Sequence, residues 1–586
     1  KLIVRVKNNL RAVLPQLSHF GYLEYIPLHA TSFRNTILWE HLEHPGSQKS
    51  LDQAAQYFGT EMGFYFAYLA HYTTWMTVPA TLGVCLYIAD YHYYGMSPYA
   101  ITYVIFLCIW MAFYLKLWSR WCNFLRVRWG VMDFKEREIL QEPRDGFHGY
   151  KRKSPISGKD ELHSSGSKRY MKIYLVSAPI TLLCLYISFF VVTITLTVQD
   201  YCEDVWICRE TPMMYMPSIL YSICIPVLDL IYSFIAMHLT EWENYKTRSE
   251  HRDALIVKLT CFKFINNYLI LFYIYFWLRD LSRLKQQLQT LMISTQISSF
   301  AIELGVPYMQ AKYKIFTAQN KLKVEKSAEK LSPKANNGDE PVGGSLDISS
   351  EDKTKTPFYF SADMQLSKYP GLMSEYFGVL RDHGYAIMFG WCWGLAPLCA
   401  LLANCLQLRF DMWKICTSYR RPIYSDSDGI GAWETVLRVY SILFTAVIFS
   451  MLAMYELVIS YDDGEGGAEP FCHSLGIWAE KLSGYFKVWP TAHAAFKGLT
   501  FLENTSKEVK LMIIVFIEHM VLATLLAIRY IVPSIPGKVA ETIRRQRYVE
   551  HMLVKQQLQH TSSRKLRNKS YAAARRASMH FDKTAR

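Results

Sequence analysis

Three carboxylates stand in stretches of this sequence that are otherwise apolar: Glu303, Glu375 and Asp411. An ionisable group in such a setting is costly and marks a functional site by default. Helical spacing adds neutral oxygens to the same faces, because Ser299 lies four residues before Glu303, and Asn404 and Gln407 lie seven and four before Asp411. Carboxylate, amide and hydroxyl oxygens are the hard donors that calcium takes, roughly six to eight at a time. Glu303, Glu375, Asp411, Gln407 and Ser299 therefore form a candidate calcium site. The plainer reading, acids solvated at helix ends, serves for each acid singly and weakens when three converge. A second polar set comprises Ser222 and Asp229, then Asn266 and Asn267, then Thr295, Gln296 and Ser298. Such residues are interhelical hydrogen-bond partners more often than parts of a transport path. Asp229, beside Pro226, is the strongest candidate for the second role.

The elements that must position these residues are membrane helices. The 586 residues are 51% hydrophobic and 15% aromatic, and the apolar residues come in blocks of roughly 20, the length that spans a hydrocarbon core. Ten blocks are expected to cross: about 64 to 89, 97 to 118, 172 to 197, 215 to 238, 256 to 278, 288 to 311, 373 to 391, 395 to 414, 433 to 459 and 508 to 532. They are apolar all round, and backbone groups in lipid must be satisfied within the segment, so an all-α integral membrane protein is predicted. The implied organisation is a cytosolic remnant over 1–60, six spans over 61–311, a flexible linker over 312–370, four spans over 371–536 and a basic helix and tail over 537–586. Residues 150 to 169 and 318 to 356 read as mobile linkers, being polar with little to bury.

Basic residues set the orientation. The segment 119 to 170 carries twelve Lys or Arg, and 537 to 586 carries thirteen against three acids, which places both in the cytosol. Ten spans then put both termini on that side. They also bring Glu303, Glu375 and Asp411, from three consecutive spans, to one depth near the inner leaflet. The loop from 460 to 505 falls on the opposite side with the acceptor pattern Asn504-Thr505-Ser506. Of thirteen cysteines most lie in or near spans, whereas Cys202 and Cys208 face the oxidising side and are candidates for a loop disulfide. The juxtamembrane position of the positive charge points to lipid headgroups rather than nucleic acid. No hydrolase, kinase or redox motif is present, so the chain does not read as an enzyme.

Longer motifs make the reading specific. The run Ser50-Leu51-Asp52 to Tyr57-Phe58-Gly59, continuing through Gly63-Phe64-Tyr65-Phe66-Ala67-Tyr68-Leu69, resembles the lead-in to the first span of the anoctamin family. Residues 239 to 276, LTEWENYKTRSEHRDALIVKLTCFKFINNYLILFYIYF, are similar to that family's segment from span four to span five. Residues 396 to 422, ending Arg420-Arg421-Pro422, and the stretch Ile531 to Pro536 match its eighth span and the end of its tenth. The resemblance implies a homodimer with ten helices per protomer. It also implies a membrane-exposed groove formed by spans three to seven, and calcium bound by spans six to eight. Members are lipid scramblases or ion channels.

Carried over residue by residue, the family's calcium positions fall on Ser299, Glu303, Glu375, Gly378, Gln407 and Asp411, where the usual residues are Asn, Glu, Glu, Glu, Glu and Asp. Three positions depart, so the resemblance implies at most one calcium ion, weakly held. Lys116 and Ser534 stand where the family often has acids for a further calcium, and Ile293 stands where channel members have a hinge glycine, while Pro307 is kept. The amino-terminal region is shorter than the family's cytosolic domain and reads as truncated or minimal. The expected function is passive movement of membrane phospholipids with weakened or absent calcium gating. An ion channel and a non-transporting tether are the alternatives. The endoplasmic reticulum or the plasma membrane is the expected location. On this topology, glycan is expected at Asn504 and not at the acceptor pattern Asn568-Lys569-Ser570. Glycan mapping in intact membranes checks it, and glycan at Asn568 would reverse the orientation.

Overall fold

The computed structural model describes residues 27–90, 99–132, 144, 146–153, 160–204, 215–331, 364–454, 507–537, 539–549, 551–553 and 555–556. Asn504, Cys208 and Asn568 lie outside these residues. Two short helices, α1 (Thr31–Glu43) and α2 (Gln48–Phe58), precede the long α3 (Thr60–Asp90) and α4 (Tyr99–Trp129). A two-stranded sheet, β1 (Tyr150–Lys153) and β2 (Asp160–His163), leads into α5 (Gly166–Lys172) and α6 (Ala178–Asp204). Then come α7 (Met216–Glu243), α8 (Arg248–Tyr273), α9 (Leu281–Phe300) and α10 (Val306–Leu331). The last four are α11 (Met373–Met388), α12 (Ala396–Thr417), α13 (Ala432–Met454) and α14 (Lys507–Ile531). Each of the ten expected spans is helical over most of its length.

Six helical stretches among the described residues are long and apolar enough to cross a membrane: Tyr103–Trp129, Gly166–Cys202, Met216–Glu243, Arg248–Leu278, Ala432–Met454 and Leu511–Ile531. The helices that fall short, α3, α9, α11 and α12, differ for a physical reason. α11 has only 16 residues, α9 and α12 carry polar and charged residues through their length, and α3 gives part of its buried face to tyrosines. Tyr65, Tyr68 and Tyr72 of α3 and Tyr385 of α11 are almost wholly buried. By contrast, Leu182, Leu183, Tyr186 and Phe190 on α6 and Leu230 and Phe234 on α7 stand exposed, as lipid-facing residues do.

Regular structure enters both segments expected to be mobile. Residues 150–153 and 160–163 form an antiparallel ladder in which Arg152 lies opposite Glu161 and Lys153 opposite Asp160. The ladder has no buried apolar face, which is why its composition resembles a linker, and Glu161 is paired with Lys246 of the α7–α8 turn at 3.3 Å. Likewise, α10 continues to Leu331, well into the expected linker of 312–370.

The two short helices fix the long ones. Asp52 of α2 accepts two hydrogen bonds from Arg128 and one from Trp129 at the end of α4. Burial pushes its carboxyl up, but these bonds and one from Gln48 outweigh that and hold it below its ordinary value. His41 of α1 pairs through Nδ1 with the Ser50 hydroxyl at 2.6 Å and through Nε2 with the Leu408 carbonyl of α12 at 3.0 Å. Burial lowers its pKa to about 4, so it is neutral at pH 7.

Close packing decides one glycine. A Cβ on Gly384 of α11 would lie 1.9 Å from the Tyr268 hydroxyl oxygen, and that hydroxyl donates to the Arg381 carbonyl at 2.9 Å. Gly384→Ala is therefore expected to destabilise the protein by about 1–3 kcal/mol through overpacking. Thermal unfolding in detergent measures this, and Tyr268→Phe should recover part of the loss.

Candidate functional site

The residues singled out in the sequence meet where α9, α11 and α12 converge. Between α9 and α10 the helix widens into a π-helical stretch, Ala301–Gly305, which carries Glu303. Pro307 explains its place. A proline has no amide hydrogen, so an α-helix there would lack the bond from residue 307 to the carbonyl of residue 303. Glu375 occupies the first turn of α11, where a negative charge suits the helix dipole. Asp411 lies in the last two turns of α12, and Gln407 one turn before it.

Ser299, Glu303, Gly378, Gln407 and Asp411 line one cavity of about 30 Å³, together with Gln296, Arg381, Asp382 and Lys414. Glu375 is held beside it. One of its oxygens accepts from the Tyr369 hydroxyl at 2.9 Å and from the Lys414 ammonium at 3.0 Å, and the other from Ser374 at 2.9 Å. Asp411 accepts from the Tyr65 hydroxyl of α3 and, at 3.1 Å, from the same ammonium. Ser299 accepts from Arg381 at 3.1 Å, and Arg381 also pairs with Asp382 at 3.0 Å. The Gln407 amide nitrogen lies 3.3 Å from the Tyr65 oxygen.

Charge counting from the acids alone missed Lys414, Arg381, Tyr65 and Tyr369. Lys414 had a legible signal, since it follows Asp411 by three residues on one helix face. The tyrosines had none, because they arrive from distant parts of the chain. The donors change what the site can hold. Both buried carboxylates already receive an ammonium and hydroxyl protons, and the Ser299 oxygen receives a guanidinium. As arranged, these residues do not fit a divalent cation, which needs those lone pairs turned toward it. Among the described residues no cluster of three or more His, Cys, Asp or Glu side chains is arranged to hold a metal ion.

The second polar set is split. Asp229 of α7 pairs with Lys263 of α8 at 2.7 Å and accepts from Asn266 at 2.9 Å. Asn266 also accepts from Ser188 of α6 at 2.8 Å, so one network joins α6, α7 and α8. Ser222 and Thr295 bond to carbonyls of their own helices. Gln296 lines the carboxylate cavity. Sequence reasoning passed over Ser218 and Gln287, which are buried and joined at 2.6 Å across the contact of α7 with α9.

A family model described as Anoctamin, a calcium-activated chloride channel, matches residues 54–546. Anoctamin-10 of Mus musculus is 29% identical over 409 residues, covering 69% of this chain and 58% of the relative. Anoctamin-8 of Mus musculus is 31% identical over 303 residues, 51% of this chain and 28% of the relative. Anoctamin-3 of Homo sapiens is 23% identical over 612 residues, 87% of this chain and 60% of the relative. The chain thus spans less than two thirds of the length of these relatives.

The Asp229–Lys263 pair gives a direct test of coupling. Its side chains are only 15% and 17% exposed, so Lys263→Met leaves a buried charge unpaired and is expected to cost about 3 kcal/mol. Adding Asp229→Asn should return at least half of that. A double-mutant cycle on thermal unfolding measures the coupling, and simple additivity would show that the pair does not interact.

Proposed function

Because the chain belongs to the anoctamin family, we propose that it is a passive phospholipid scramblase, with a groove formed by α6, α7, α8, α9 and α11 and with weakened or absent calcium gating. The observation that carries this reading is the intramembrane seam of Ser188, Asn266, Asp229 and Lys263, with Ser218 and Gln287 on the α7–α9 contact. As arranged these groups are buried and bonded to one another, so the seam is closed; parted, they would offer headgroups a polar path, while the exposed apolar faces of α6 and α7 leave lipid tails in the bilayer. Groove opening in this reading separates α7 from α9 at the Ser218–Gln287 bond.

The rest of the assignment follows from the same reading. All ten helices span the membrane, both termini are cytosolic, and the protein is a homodimer in the endoplasmic reticulum or plasma membrane. The segments 1–60, 61–311, 312–370, 371–536 and 537–586 keep the roles given to them above, with part of 312–370 helical. The chain acts as a conduit rather than an enzyme. Calcium is at most a weak modulator, with no more than one ion per protomer, since the residues as arranged do not fit it. The second reading, an ion channel, draws on the description of the matching family model.

Reconstitution separates the readings. In proteoliposomes containing labelled phospholipid, scrambling is expected in calcium chelator at a rate within about threefold of that with calcium, since a site the ion does not occupy cannot bias the equilibrium. Ion flux measured on the same vesicles without scrambling would establish the channel, and strict calcium dependence would reinstate the gate.

A further inference from the structure

We propose that the Lys414 ammonium is a built-in counter-ion that takes the role of a bound metal in the carboxylate site, holding α11 to α12 without calcium. The inference does not need the transport reading, because ion binding and stability test it directly.

Lys414 sits on α12 with its side chain only 4% exposed. A buried ammonium is tolerated only when paired and hydrogen-bonded. Two of its protons have partners in Glu375 of α11 at 3.0 Å and Asp411 of α12 at 3.1 Å, and both carboxylate side chains are at most 5% exposed. The ammonium thus bridges two helices through two carboxylates, as a metal ion would. The cavity beside it carries Glu303 from the π-helical stretch, and among the described residues Glu303 makes no ion pair within 4 Å. Tyr65, Tyr369 and Ser374 complete the carboxylate oxygens. Their hydroxyls donate to oxygens that a metal would have to claim.

Facing charges from the neighbouring elements agree. Arg381 of α11 lines the same cavity and is neutralised by Asp382. Lys414 is therefore the cation that serves Glu375 and Asp411. A tethered cation differs from a diffusible one in its effective concentration, which is fixed by the chain and does not fall when calcium is removed. Calcium would have to expel the ammonium and strip the hydroxyl donors, or enter beside a positive charge in a medium that screens it poorly. Both routes oppose binding.

The test is thermal unfolding of the purified protein in detergent, with calcium chloride or chelator, alongside direct titration of calcium. The unmodified protein is expected to bind no calcium below about 1 mM and to unfold at the same temperature in both conditions. Lys414→Met keeps the bulk and removes the charge. It should unfold roughly 5 °C lower in chelator and regain most of that with calcium. Lys414→Arg keeps the charge and should remain indifferent to calcium. Stoichiometric calcium binding by the unmodified protein overturns the proposal, and so does a folded Lys414→Met that ignores calcium. Should Lys414→Met not fold, the titration of the unmodified protein and the response of Lys414→Arg still decide: calcium binding by either sinks the idea.

Discussion

Glu375 and Asp411 are two carboxylates with almost no access to water, and everything around them is arranged so that one ammonium can lie between them. The desolvation of three charges costs several kcal/mol each and is offset only if every lone pair and proton finds a partner. Tyr65 supplies one partner from α3, Tyr369 another from the segment before α11, and Ser374 a third from α11 itself. That requirement brings the first long helix against the seventh and eighth expected spans. It also accounts for the tyrosine-rich interior, since phenol rings fill apolar volume and still deliver a hydroxyl to a buried acid.

The same rule recurs elsewhere in the bundle. Glu243, buried at the end of α7, accepts from Lys258, Ser177 and Tyr245, and so joins α7, α8 and the stretch before α6. Asp229 does likewise with Lys263 and Asn266. In each case an acid on one helix finds a lysine on another, or on the next turn, and neutral donors close the set. Helix packing in a membrane gains little from hydrophobic burial, because lipid tails are equally apolar, so such networks fix which helices are neighbours.

Much of this was legible beforehand. The ten helical stretches followed from block length, with ends misjudged mainly where helices run on past the expected block, as α4 does in reaching Trp129. The carboxylate site followed from acids out of place in apolar helices, and Glu303, Gln407, Asp411 and Ser299 do share a cavity. Its balancing charge was overlooked although the spacing of Lys414 from Asp411 signalled it, because an acid in a span draws notice while a lysine at the end of one is taken for the start of a loop. The β1–β2 ladder escaped for the opposite reason. Its pairing is a backbone ladder of four residues a side, and a single strand of it has the composition of a linker. The buried tyrosine face of α3 was not legible either, because Tyr65, Tyr68 and Tyr72 meet partners from distant parts of the chain.

Two glycines far from the carboxylates carry a mechanical consequence. Gly83 of α3 and Gly394, in the turn before α12, approach so closely that a Cβ on Gly83 would sit 2.2 Å from the Gly394 carbonyl oxygen. At the other end of the same two helices Tyr65 is bound to Asp411. Pinned near both ends, α3 and α12 form a stiff post, and Lys414 clamps α11 to it. The pair α9 and α10 meets that post along a shorter stretch and is interrupted by the π-helical turn. A lateral load on α9 and α10 would therefore be taken up by bending at residues 301–305, leaving the post straight.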